Sequence, residues 1–163
     1  MSGARTTVVV GYDGTAPAER ALQRAAEYAR AFAAKVVVVS VAAPQPLADV
    51  GTPGAFGLLP YYAYPAGVGD QAVERDEQLW GRHREHVEAL FADADVQVEF
   101  TGVAGEPVQE LVDAAEQHRA QLIVVGTREP GFLERLLGGS VSQGVARRAH
   151  CDVLIVHPGG AQR

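Results

Sequence analysis

Five short runs rich in Val, Ile and Leu alternate along the chain with longer segments whose apolar residues recur at i, i+3 and i+4. That alternation is the pattern of a parallel sheet joined by crossover helices. The runs predict strands at 6–10, 35–41, 96–101, 122–125 and 152–157. Four are nearly continuous in aliphatic residues, as strands covered on both faces should be. The third, Val96-Gln97-Val98-Glu99-Phe100, alternates and belongs at an edge.

The intervening segments predict four helices. The first starts near Pro17, with Thr15 or Ala16 at its cap, because proline loses nothing in a first turn. Its inner face reads Ala18, Ala21, Leu22, Ala25, Ala29 and Phe32, and so many alanines imply close approach to the sheet. A second helix at 71–92 carries Val73, Trp80, Val87, Leu90 and Phe91 on one stripe. The third opens at Pro107 with Val108, Leu111, Val112 and Ala115 inward. The fourth begins near Ser140 with Val141, Val145 and Ala149 inward, and Arg147 and Arg148 offset the dipole at its end. Segment 43–70 breaks the rhythm: five of the nine prolines and five glycines fall in 28 residues, together with Phe56, Leu58, Leu59, Tyr61, Tyr62 and Tyr64. It reads as an apolar insertion whose aromatics cover the second helix, or as a lid or partner-binding loop.

Composition narrows the class. With 163 residues, 47% of them hydrophobic and 21% charged, the chain suits one globular domain over 1–163. A net charge of −6 argues against nucleic acid or an anionic membrane as the main partner. The longest apolar stretch, 36–43 broken by Ser40, is far short of the ~20 residues of a membrane helix. One cysteine, Cys151, and no secretory-type N-terminal run make a cytoplasmic setting the expectation. Cys151 itself reads as a packing residue.

An open doubly wound sheet binds ligands beyond the carboxyl ends of its strands, where strand order reverses. The loops of interest are therefore Gly11-Tyr12-Asp13-Gly14-Thr15 after strand one and 126–140 after strand four. The second ends in Gly138-Gly139-Ser140 before a helix, the description of an anion site, or else of a glycine turn with Ser140 as a simple cap. Neither a Gly-x-Gly-x-x-Gly fingerprint nor a Walker loop occurs. The five histidines are scattered, and His83 with His86 reads as a solvated helix surface rather than a metal site. Ser140 and Ser142 have no His and Asp partners nearby in sequence, so a nucleophile role is weak.

Several ordered segments together resemble the universal stress protein family: Val8-Val9-Val10-Gly11-Tyr12-Asp13-Gly14-Thr15, Gly105-Glu106-Pro107, the 122–127 strand end, Leu136-Leu137-Gly138-Gly139-Ser140-Val141-Ser142, and Cys151 to Val156. The resemblance covers the chain outside 43–70. It implies an α/β fold, an open doubly wound five-stranded parallel sheet of order 3-2-1-4-5 with helices on both faces, and a homodimer through strand 152–157. It also implies an adenine nucleotide, ATP with Mg or Mn, as ligand. Asp13 would meet the adenine or ribose side, Val41 the adenine through its backbone, and Gly126 the ribose. Gly139, Ser140, Val141 and Ser142 would meet the phosphates, with Gly11, Tyr12, Val125, Thr127 and Glu129 completing the site.

Nucleotide binders of that family carry Gly-x2-Gly-x9-Gly-Ser/Thr after strand four. Gly126, Gly139 and Ser140 match, but Glu129 stands where the middle glycine belongs. At ~4 Å a like-charge pair costs roughly 1 kcal/mol in water and about 4 at an effective dielectric of 20, a large part of a micromolar affinity. Arg128, Arg135 or a bridging divalent cation would offset it. Two functions remain open from the residues: a nucleotide-binding regulatory or stress-response protein, with at most slow ATP hydrolysis, or an interaction protein in which Glu129 closes the phosphate site.

Overall fold

The computed structural model describes residues 6–43, 68–127 and 141–158. Five strands, β1 (Thr7–Gly11), β2 (Lys35–Ala42), β3 (Val98–Ala104), β4 (Leu122–Gly126) and β5 (Asp152–Val156), alternate with α1 (Ala16–Phe32), α2 (Val68–Phe91), α3 (Pro107–Gln117) and α4 (Val141–Arg148). All pairings are parallel and the strand order is β3-β2-β1-β4-β5. The expected α/β architecture is therefore the observed one, with β3 at one edge and β5 at the other. Among the described residues no helix is long and apolar enough to cross a membrane.

Two apolar layers follow from the period of two along each strand. Val8, Val10, Val36, Val38 and Val124 face α1 and α2. Val9, Val37, Val39, Ile123 and Val125 face α3 and α4. The inner face of α1 is nearly all alanine: Ala18, Ala21, Ala25, Ala26 and Ala29 are buried around Leu22. Small side chains bring the helix backbone down onto the strands, and the close fit replaces the bulk that larger residues would supply.

Three expected inward residues face solvent instead. Phe32 is 60% exposed and lies against Tyr28, 4.4 Å between ring centroids. It sits in the last turn of α1, and Ala34, beyond the cap, enters the core in its place. Val73 and Val141 are also exposed. Each lies in the opening turns of its helix. Strand β3 begins two residues later and runs three residues further than its alternation indicated, because Gly102 to Ala104 continue the ladder against Ser40 to Ala42. Gly102 has no side chain because Trp80 of α2 lies over it.

Helix α1 ends on Ala33, which holds a left-handed conformation (φ 51°, ψ 38°) while its N–H donates to the Ala29 carbonyl oxygen. An L side chain there costs ~1–2 kcal/mol that glycine avoids, partly offset by the greater freedom of glycine in the unfolded chain. Ala33→Gly is expected to stabilise the protein by about 0.5–1 kcal/mol, read as a higher urea midpoint at unchanged slope.

Candidate functional site

The crossovers leave β1 toward one face and β4 toward the other, so the two carboxyl ends open a crevice between neighbouring strands. On the β1 side, Gly11 lies opposite Val39, and the Tyr12 N–H donates to the Val39 carbonyl oxygen at 2.9 Å. Asp13 is exposed, and its carboxylate accepts from the Thr15 N–H at 3.0 Å and the Thr15 hydroxyl at 2.6 Å. Both bonds use Oδ1, so the turn holds the carboxylate by one oxygen. Gly14 makes the turn with φ at 78°, a conformation suited to glycine. Thr15 then caps α1, its hydroxyl accepting from the Ala18 N–H at 3.4 Å.

On the β4 side, Gly126 ends the strand opposite Val156, and the Thr127 N–H donates to the Val156 carbonyl oxygen at 3.0 Å. A side chain at Gly126 would run into the carbonyl of Pro17 in the first turn of α1. This glycine therefore has a packing reason of its own: it lets the start of α1 lie across the end of β4.

The structure unites part of the expected set. Gly11, Tyr12, Asp13, Gly126 and Thr127 cluster at the strand ends, with Val41 on the neighbouring strand opposite Val103. Val125 is buried in the layer under α3 and α4, so its side chain is committed to the core. Ser142 is buried in the first turn of α4 beside exposed Val141. Glu129, Gly139 and Ser140 lie outside the described residues, as does most of 43–70.

The side chain of Tyr12 turns toward α2. Its ring stands edge-on to His83 at 5.1 Å and stacks on His86 at 5.9 Å, and its hydroxyl donates to Glu19 Oε2 at 3.3 Å. Burial, the Glu19 charge and this hydrogen bond push its pKa up to about 12, so the phenol stays a donor. The same Glu19 oxygen accepts from His86 Nε2 at 2.8 Å.

The expectation of a solvated His83 is wrong. The ring is 8% exposed, and its Nδ1 shares a 2.8 Å hydrogen bond with the hydroxyl of Ser40, itself 1% exposed. Periodicity missed this because a lone Ser in a valine strand and a His on an amphipathic helix each look tolerable. Only their pairing makes burial affordable. Ser40 in the run 36–43 was the available signal.

Two of the other three histidines pair with carboxylates at the surface, His118 with Glu99 at 3.8 Å and His150 with Glu116 at 3.5 Å. Among the described residues no cluster of three or more His, Cys, Asp or Glu could hold a metal ion. Cys151 packs half-buried against the α3 and α4 layer, and burial, then the Asp152 charge, push its thiol up, which suits a packing role. Glu106 takes a role the sequence did not reveal: its carboxylate caps α3, accepting from the Val108 and Gln109 N–H groups at 3.1 and 2.8 Å.

Comparison with known proteins places this arrangement. Residues 4–157 match the universal stress protein family. The chain is 34% identical over 158 residues to universal stress protein Rv1636 of Mycobacterium tuberculosis, covering 93% of this chain and 95% of that protein. It is 29% identical over 152 residues to universal stress protein MJ0531 of Methanocaldococcus jannaschii, covering 91% and 80%. Among solved structures it is similar to a universal stress protein in complex with cAMP (TM-score 0.61, 28% identity, 95% of this chain and 98% of that one). The fold also matches that of hypothetical protein MJ0577 (TM-score 0.69, 20% identity, 98% and 100%).

The contact between Gly126 and Pro17 is directly testable. Gly126→Ala must push α1 away from β4, and overpacking of this kind costs roughly 1–3 kcal/mol. A loss of that size in chemical denaturation of the ligand-free protein is expected.

Proposed function

The chain belongs to the universal stress protein family, and we propose that it binds an adenine nucleotide in the crevice between the Asp13 turn and the connection after β4. The observation that carries this reading is the parallel pairing of β1 with β4 at the reversal of strand order, which brings the chain ends after Val10 and Val124 out on the same side of the sheet. A relative of 28% identity was solved with cAMP, which supports an adenine nucleotide as the ligand class. ATP with Mg or Mn is the proposed form. Exposed Asp13 is suited to accept from a ribose or adenine donor. The backbone of Val41, the Gly126 and Thr127 strand end, and Gly139, Ser140, Val141 and Ser142 would supply the remaining contacts. Glu129 would act as an oxygen ligand toward a bridging cation or stand beside the phosphates. The protein would work as a cytoplasmic regulator or stress-response sensor, with catalysis limited to slow hydrolysis.

A homodimer through β5 completes the proposal. The strand lies at the sheet edge, and Val153, Leu154, Ile155 and Val156 are only half-buried there. An apolar strand at a sheet edge is suited to a second copy.

The substitution of Glu129 for the middle glycine favours a second reading, in which the phosphate site is closed and the chain acts through protein partners. Calorimetric titration with ATP and magnesium, on the native chain and on Glu129→Gly, separates the two. Nucleotide binding predicts saturation in the micromolar range by the native chain, with up to about 4 kcal/mol gained on removing the carboxylate. Binding by the variant alone would favour the closed site, and no saturation below millimolar by either chain would reject the nucleotide.

A further inference from the structure

The β1–α1 turn rests on a polar strut that spans two elements. His83 reaches from α2 to the buried hydroxyl of Ser40 on β2, with 2.8 Å between Nδ1 and Oγ. Its other nitrogen points at Gly14: a side-chain carbon built there would come within 2.8 Å of Nε2. The edge of the Tyr12 ring closes the third side. Ser40 is flanked in β2 by valines and, at 1% exposure, is no nucleophile. A Val and Leu pair would fill the same space without the cost of burying two polar groups. What the polar pair adds is a directional hold on the ring, and the ring in turn underlies the glycine on which Asp13 turns.

We propose that His83, anchored by Ser40, is a positioning residue for the ligand-binding turn: the neutral ring holds Asp13 and Gly14 in place, and protonation of the ring loosens the turn and weakens nucleotide binding. This deepens the reading of the crevice as a nucleotide site and rests on it.

The groups around the ring set its titration. Asp13, on the turn, favours the cation, while Arg82 and His86 on its own helix oppose it. Tyr12 and Ser40 offer neutral hydroxyls and aromatic surface, and Glu19 of α1 is held one step away by Tyr12 and His86. Burial dominates and holds the ring below the ordinary value of 6.5. The unfolded chain therefore takes up its proton first as pH falls. The native hold is complete above about pH 6.5 and is lost as pH falls through the folded value.

The test follows the free protein and its complex by NMR and calorimetry between pH 8 and 5. In the native chain the His83 ring and the Gly14 amide should titrate with one midpoint, below 6.5. The dissociation constant for ATP should rise toward tenfold per pH unit below that midpoint, as expected when binding excludes one proton. In His83→Asn, whose amide matches the position of Nδ1 and does not titrate, the Gly14 step should vanish and the affinity profile should flatten. A Gly14 amide that ignores the ring in the native chain overturns the proposal, as does an unchanged affinity profile in the variant. Absence of binding at pH 7.5 would instead reject the nucleotide reading, and the coupled titration in the free chain would still decide the role of His83.

Discussion

The close seating of α1 on the sheet is the constraint from which the rest of the structure follows. A helix that buries alanines rather than leucines lies low on its strands, and at its start the carbonyl of Pro17 reaches the end of β4. Only a residue without a side chain can occupy that end, and Gly126 does. If α1 stood a few tenths of an ångström higher, the turn that leads into it would move with it. The β1 side of the crevice would then shift against the end of β4. Packing and site geometry are one arrangement here: the stripe of small residues sets the height of α1, and that height sets the width of the crevice.

The second organising feature is polar. Strand β2 interrupts a valine run with Ser40, and α2 answers with His83. The pair lies beneath the candidate binding turn, with His83 Nε2 facing Gly14. Beyond it, Tyr12, Glu19 and His86 continue the network to the surface, with Glu19 Oε2 accepting from both neighbours. A network of this kind holds directions as well as distances, which apolar packing alone does not. Such placement suits a turn that must present a carboxylate at a defined angle.

Much of the fold was legible in the chain. Aliphatic runs marked the five strands, Pro17 and Pro107 marked helix starts, and the alternation of 96–100 marked an edge. Residues at the margins of elements were not, because periodicity does not know where the sheet ends. Phe32, Val73 and Val141 keep the helical spacing yet fall at helix ends, beyond the covered surface. The length of β3 depended on a long-range fit, Trp80 over Gly102, that no local pattern encodes. At the candidate site, glycines and Asp13 announced the crevice through turn chemistry. His83 stayed hidden because its partner is 43 residues away on another element. Gly126, expected as a ligand contact from the motif, has a packing role against Pro17 that the motif did not indicate.

The account stands on the crevice as the place where nucleotide binds. Amide chemical-shift mapping of the folded chain with ATP and magnesium tests it most directly. The account predicts saturable shifts concentrated in Gly11 to Thr15, Gly126, Thr127 and the first turn of α4. Shifts concentrated elsewhere, or none at millimolar nucleotide, would contradict it.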